Sequence, residues 1–379
     1  MLDDIIAISL ALTNQVQALF FKAFSDSTVP MANTQDFPTS SESVDRALLL
    51  ATLPRLSTPQ FLAPIIVHAA TTARKRLVIV LFSRFFNTGT PHSNLDQGYL
   101  ASQAISHTGR WKAVQEILTY VYVQATMVAQ NMGKVLMDVD VLLKGMNEDV
   151  DESLSKGMEI LFRVSGDSIP VPLPESIGLL RTSYIPVGER DPLVDSVVGT
   201  EASTPRSSGA RPSMYPVTVL GGTFDHLHAG HKILLSMAAW ITSEKLIIGV
   251  TDDALLKNKA NKHVMEDISR RCDRVREFLM FFKPGLVYDA VPINDVYGPT
   301  AWDPNIQALV VSKETLGGAA EIAKHRESHN LSALEVFVID VISSTSANLD
   351  HQDAAWLKSA KLSSTFIRQW IVDNQAQAE

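Results

Sequence analysis

Three histidines, His226, His228 and His231, follow the glycine pair Gly221-Gly222 in the stretch YPVTVLGGTFDHLHAGHKILLSMAAW. Imidazole is the side chain best placed to donate hydrogen bonds to phosphate oxygens or exchange protons with them near neutral pH. Glycine lets the backbone turn tightly or approach a ligand where a Cβ would intrude. From Ala229 onward Ile233, Leu234, Met237 and Ile241 recur on one face, so a helix begins among the histidines. Its first amides and the positive end of its dipole attract an anion. A strand, a glycine turn and a helix start bearing His, Gly and His make a site for phosphate chemistry.

A second cluster lies far along the chain, where Ser363, Ser364 and Thr365 precede Phe366, Ile367 and Arg368. Hydroxyls at a helix start commonly cap its free amides, so alone this cluster marks the beginning of a helix.

These residues need elements to hold them. Val217, Thr218, Val219 and Leu220 read as a buried strand. Apolar runs at residues 245–250, 286–291, 308–312 and 334–342 predict four more strands. Helical patterns at 253–256, 266–282, 319–328 and 364–373 alternate with them, the second carrying Arg270, Arg271, Arg274 and Arg276 on its polar face. Such alternation predicts an α/β fold with a Rossmann-like, doubly wound parallel sheet, its ligands at the carboxyl ends of the strands.

The strings GGTFD, His228-Ala229-Gly230-His231 and LSSTFIR together resemble the H-x-G-H nucleotidyltransferase superfamily. The longer string GGTFDHLHAGHKILL is similar to the eukaryotic, fungal-type phosphopantetheine adenylyltransferases, over residues 215–372. That resemblance implies transfer of AMP from ATP to 4'-phosphopantetheine, giving dephospho-coenzyme A and pyrophosphate in coenzyme A synthesis. It implies that His228 and His231 face the transferring and departing phosphates and that Thr223 binds the acceptor's phosphate. Gly221, Gly222, Phe224 and Gly230 would complete the phosphate-binding turn. A phosphate-bridging lysine is implied among Lys257, Lys259 and Lys262, the first two taken as catalytic. Ser312, Glu314 and Thr315 would belong to a nucleotide-facing loop, and Ser363, Ser364, Thr365 and Arg368 to the clamp for the β- and γ-phosphates. Bacterial relatives carry an arginine-bearing loop where this chain has Lys313, which leaves Lys324 and Arg326 as further candidates for that cation.

Mg²⁺ is implied with ATP, and no metal ligands from the protein. Asp225 is expected to fix the loop by hydrogen bonding, His226 to lie outside the core signature, and Lys232 to be solvated. Two rival readings exist. Sister enzymes that act on nicotinamide mononucleotide, or that transfer a cytidylyl group, share the scaffold. The spacing His226-x-His228-x-x-His231 also suits zinc, although Gly230 stands where an H-x-H-x-D-H metallohydrolase needs its acid. No G-x-x-x-x-G-K-[ST] loop occurs, so phosphorylation of dephospho-coenzyme A is expected from a separate kinase.

Residues 1–186 are expected to form an N-terminal domain that is itself α/β, with helices at 61–70 and 111–131, a buried strand at 76–83 and further candidate elements at 135–143 and 158–164. No second histidine string occurs there, so nothing in the sequence indicates an internal duplication. A linker at 187–214, rich in Ser, Gly, Pro and Thr, should be mobile. The nucleotidyltransferase domain follows at 215–379. A chain starting near Arg211 should then fold and act by itself.

The 379 residues are 46% hydrophobic and 20% charged, as in a globular protein. A net charge of −8 argues against a general nucleic-acid binder. The one cysteine, Cys272, excludes an intrachain disulfide. The N-terminus lacks the basic region of a signal peptide, and no run reaches the roughly 18 apolar residues of a membrane span. A cytoplasmic location without membrane partners is expected.

Overall fold

The computed structural model describes residues 43–87, 106–187, 211–339 and 363–375. Ser43–Glu379 form one compact unit built on two five-stranded sheets, in which every strand pair is parallel.

The first sheet comprises β1 (Val44–Thr52), β2 (Ala73–Phe82), β3 (Asp138–Lys144), β4 (Ile160–Val164) and β5 (Arg181–Ile185). Helices α1 (Ala63–Thr72) and α2 (Trp111–Asn131) lie between its first three strands. The second comprises β6 (Tyr215–Gly222), β7 (Thr242–Thr251), β8 (Val287–Ile293), β9 (Ala308–Ser312) and β10 (Glu335–Ile339). Its helices are α3 (Ala229–Ile241), α4 (Ile268–Phe282), α5 (Leu316–Ser328) and α6 (Ser364–Gln375). Runs such as LVIVLF and KLIIGV suit parallel strands, which need apolar side chains on both faces because layers cover both.

The strand orders are β3-β2-β1-β4-β5 and β10-β9-β6-β7-β8. Numbered within its own sheet, each runs 3-2-1-4-5, and the match extends to residue register. Arg46 faces Arg76, which faces Asp138; likewise Val217 faces Lys245, which faces Val287. Ala47 faces Ile160, which faces Arg181; Thr218 faces Ala308, which faces Glu335. Each first pair carries one register irregularity, between Val44 and Arg46 and between Tyr215 and Val217.

A pair of lysines carries the same correspondence. Ahead of β3, Lys134 Nζ donates to the carbonyls of Ala70, Thr71 and Ala73 at 3.2, 2.6 and 2.8 Å. Ahead of β8, Lys283 Nζ donates to those of Ala239 and Thr242 at 2.9 and 2.8 Å. Each lysine satisfies the free carbonyls where a helix passes directly into its strand. Burial lowers the pKa of both, that of Lys283 to about 8.

The chain therefore holds the same fold twice. Counting back from the two helix–strand junctions sets Pro59, Gln60, Phe61 and Leu62 against His228, Ala229, Gly230 and His231. The first copy has neither imidazole, which is why no duplication was legible in the sequence.

The two copies share a continuous apolar core. Helix α2 packs on both α1 and α3, and Trp240 of α3 donates its Nε1–H to the His107 carbonyl at 2.9 Å. Two strands escaped the sequence reading. The apolar run of β1 is short enough to suit a helix or a strand, and β5 is a largely polar edge strand. Most of the expected linker, at 188–210, and residues 340–342 of the expected fifth strand lie outside the described residues.

Candidate active site

Strand β6 ends on Gly221-Gly222, and the chain turns sharply into α3. A Cβ on Gly222 would meet the Phe224 ring at 2.9 Å, so only glycine fits there. Phe224 and His226 hold φ values of 51° and 43°, a backbone region uncommon for residues with side chains. Phe224 is fully buried under the turn, its ring centroid 5.3 Å from that of His231.

Three buried charged residues hold this turn. Asp225 accepts the Glu266 N–H at 3.0 Å and Arg368 Nη1 at 2.6 Å. Arg271 Nη1 donates to the carbonyls of Thr223 and Thr251, both at 2.8 Å, while Nη2 donates to Asp253 at 2.7 Å. Ser364 Oγ donates to the Asp225 carbonyl at 2.8 Å. The helix start bearing the second hydroxyl cluster is thereby fastened to the histidine turn.

His228 and His231 stack with ring centroids 3.8 Å apart and planes at 24°. Both residues are partly exposed, yet their Nδ1 atoms are enclosed and have no hydrogen-bond partner within the protein. Burial pulls the His228 pKa well below the usual value, helped by the charges of His231, Lys232 and His226. Burial lowers that of His231 to about 4, against the opposing charge of Asp225. Both imidazoles are therefore neutral near pH 7, each with one N–H. Enclosed polar atoms without partners are costly, and both lie at the first turn of α3, where the helix amides are also free of intrahelical partners.

Residues 219–370 match the cytidylyltransferase-like family model. The phosphopantetheine adenylyltransferase of Saccharomyces cerevisiae is 46% identical over 157 residues, which are 41% of this chain and 49% of that protein. That of Pyrococcus abyssi is 35% identical over 157 residues, 41% of this chain and 90% of that protein. That of Pyrobaculum aerophilum is 36% identical over 124 residues, 33% of this chain and 79% of that protein. The chain belongs to the phosphopantetheine adenylyltransferase family. It spans about half the length of the yeast relative.

The remaining residues expected of a family member are distributed unevenly. His226 contacts the Val264 carbonyl through Nε2 at 2.8 Å and donates its N–H to Glu266 at 2.9 Å, as a loop histidine does. Ser363 caps α6, its Oγ accepting the Phe366 N–H at 3.3 Å. Arg368 reaches the site, but its Nε goes to the Ala260 carbonyl at 2.8 Å and its Nη2 to Thr365 Oγ1 at 3.1 Å. With Nη1 on Asp225, it pins the turn rather than presenting free charge.

Asn261, in the loop of Lys257, Lys259 and Lys262, donates its Nδ2–H to Gln369 of α6 at 2.9 Å, and all three lysines are exposed. Beyond β9, Ser312 and Thr315 form a capping box, with Glu314 exposed between them.

Four basic residues are placed otherwise than the sequence alone suggests. Arg326 does not face a ligand: it is buried and donates to the carbonyls of Ser332, Thr300 and Asp303. Lys324 pairs with Glu321 on the exposed side of α5. Lys232 is buried rather than solvated, because the first sheet covers α3. Arg271, placed by the sequence on a polar face, is fully buried and holds Thr223. Its signal was available, since it shares the buried stripe of Val275, Phe278 and Phe282.

Donor atoms of Asp225, His226 and Glu266 lie within 4.8 Å of one another. Asp225 is engaged by Arg368, Glu266 by Arg274 at 2.8 Å, and His226 by Val264. Among the described residues the three histidines of the turn do not converge on a metal position.

Proposed function

We propose that the chain is a pantetheine-phosphate adenylyltransferase, moving AMP from ATP to 4'-phosphopantetheine with release of pyrophosphate. The observation that carries this reading is the union of the two phosphate motifs through Asp225, Ser364 and Arg368, beside two enclosed and unpartnered imidazole nitrogens. The acceptor's phosphate oxygen attacks the α-phosphorus of ATP and the α–β bridging bond breaks. Charge gathers on the equatorial oxygens and on the departing pyrophosphate, so positioning and electrostatic stabilisation dominate.

Neutral His228 and His231 donate one N–H each to those oxygens, with the first amides of α3 beside them. Thr223 binds the acceptor's phosphate, one of Lys257, Lys259 and Lys262 bridges the two substrates, and the loop of Ser312 to Thr315 faces the nucleotide. Arg271, Asp225 and Arg368 keep the turn in shape. Mg²⁺ fits as a partner of the ATP phosphates, because the nearby carboxylates are already engaged and Mg²⁺ is commonly held largely by phosphate oxygens. No helix among the described residues is long and apolar enough to cross a membrane.

The full chain supplied with ATP, Mg²⁺ and 4'-phosphopantetheine should yield dephospho-coenzyme A and pyrophosphate in equal amounts, and excess chelator should stop it. Faster turnover with nicotinamide mononucleotide, phosphocholine or glycerol phosphate, or with CTP in place of ATP, would overturn the assignment.

A further inference from the structure

We infer that Asp138 and Asp140 of the first sheet are positioning residues for His228 and His231, acting through Lys232: the copy of the fold without the histidines holds the helix that carries them. This inference rests on the adenylyltransferase reading above.

Lys232 follows His231 directly, and its backbone N–H donates to the His228 carbonyl at 3.0 Å. Its side chain leaves the site and crosses to β3. There Nζ meets the Asp138 carboxylate, Asp140 Oδ1 at 2.6 Å and the Val139 carbonyl at 2.8 Å. Three acceptors satisfy the three donors of one ammonium group. Asp140 is held from its other side by Arg76, with Nη2 at 2.7 Å and Nε at 3.1 Å. Tyr122 of α2 fixes the strand further by accepting the Val141 N–H at 3.1 Å. The Phe278 ring of α4 closes over the ammonium, its centroid 5.5 Å away.

The far end of α3 is gripped as well. Trp240 bonds to the His107 carbonyl and packs against Phe86, with centroids 5.8 Å apart. Both ends of α3 are thus tied to the first copy, and the helix cannot turn about its axis without breaking these contacts. The stacked imidazoles sit at its first turn, where a small rotation displaces both donors. A displacement of about 1 Å in a reacting geometry can cost on the order of 10² in rate.

The register gives the arrangement its meaning. In the second copy Val287 stands where Asp138 stands in the first, and Asp289 pairs with the partly exposed Lys245 of its own sheet. Pro59 and Leu62 occupy the places of His228 and His231. The first copy therefore lacks the imidazole chemistry, and instead carries on β3, an edge strand, two acids that the catalytic helix meets.

The test uses full-chain variants Asp140→Asn, Lys232→Met, Lys232→Arg and the triple Asp138→Asn/Asp140→Asn/Lys232→Met, in which no charge is buried at position 232 and the partly exposed Arg76 can still donate to the amide oxygen introduced at position 140. Melting temperature, kcat, ATP dissociation constant and the imidazole NMR signals of His228 and His231 are measured for each. The inference expects the triple variant to melt close to wild type while kcat stays about 10- to 100-fold low, with ATP affinity within a few fold. Both imidazole signals should shift in Asp140→Asn, and Lys232→Arg should recover part of kcat. A triple variant that regains kcat along with its melting temperature would overturn the inference, as would unmoved imidazole signals. Absence of dephospho-coenzyme A from wild type would instead overturn the adenylyltransferase reading, and the NMR readout would still decide the positioning claim.

Discussion

In the adenylyltransferase reading proposed above, His228 and His231 act as uncharged donors, since burial disfavours the imidazolium form of both. In the unfolded chain His231 titrates near 6.5, and in the folded chain near 4. Below the first value the unfolded state binds a proton that the folded state refuses. Its contribution to stability is therefore complete above 6.5 and is lost as pH falls toward 4. His231→Gln, which keeps a polar side chain without the titration, should move the acid-unfolding midpoint to lower pH, read by far-UV circular dichroism. An unchanged midpoint would contradict the burial argument. The placement of the histidines at one turn and the hydrogen-bonding role of Asp225 were legible because both follow from residue type and spacing along the chain. Lys232, Arg271 and Arg326 were not, because whether a long cation meets water depends on the layer packed over it.

Helix α6 and the histidine turn act as one element, joined by Ser364 to the Asp225 carbonyl and by Arg368 to the Asp225 carboxylate. Both charged partners are almost fully buried. Removing one leaves the other without compensation, at about 3–5 kcal/mol. Arg368→Met should therefore lower the free energy of unfolding by about that amount in urea titration. A loss below about 1 kcal/mol, the level of an exposed pair, would mean the bond does not secure the turn. The strands of the second sheet were readable as short apolar runs between turn signals, the pattern of a sheet covered on both faces. Strand β5 was not, since its polar residues lie at an edge where little is buried.

Across the molecule, the equal registers of the two sheets describe one fold present twice, a backbone property that leaves no trace once the motif residues differ. Motifs alone suggest that a chain starting near Arg211 would suffice. Packing argues otherwise here: the truncation would leave Lys232 without its acids and uncover Trp240 and the apolar side of α3. The truncated chain should express poorly or melt well below the full one, and a soluble product melting alongside the full chain would refute that.

The most direct test of the whole account is kcat and ATP dissociation constant, in the full chain, for His228→Ala, His231→Ala, their double mutant and His226→Ala. Charge stabilisation by the stacked pair predicts a fall in kcat of about 10²–10³ for each of the first two with ATP affinity little changed. The double mutant should lose less than the product of the two, since both address one phosphate chain, and His226→Ala should cost far less. Damage from His226→Ala equal to that from His231→Ala would contradict the account.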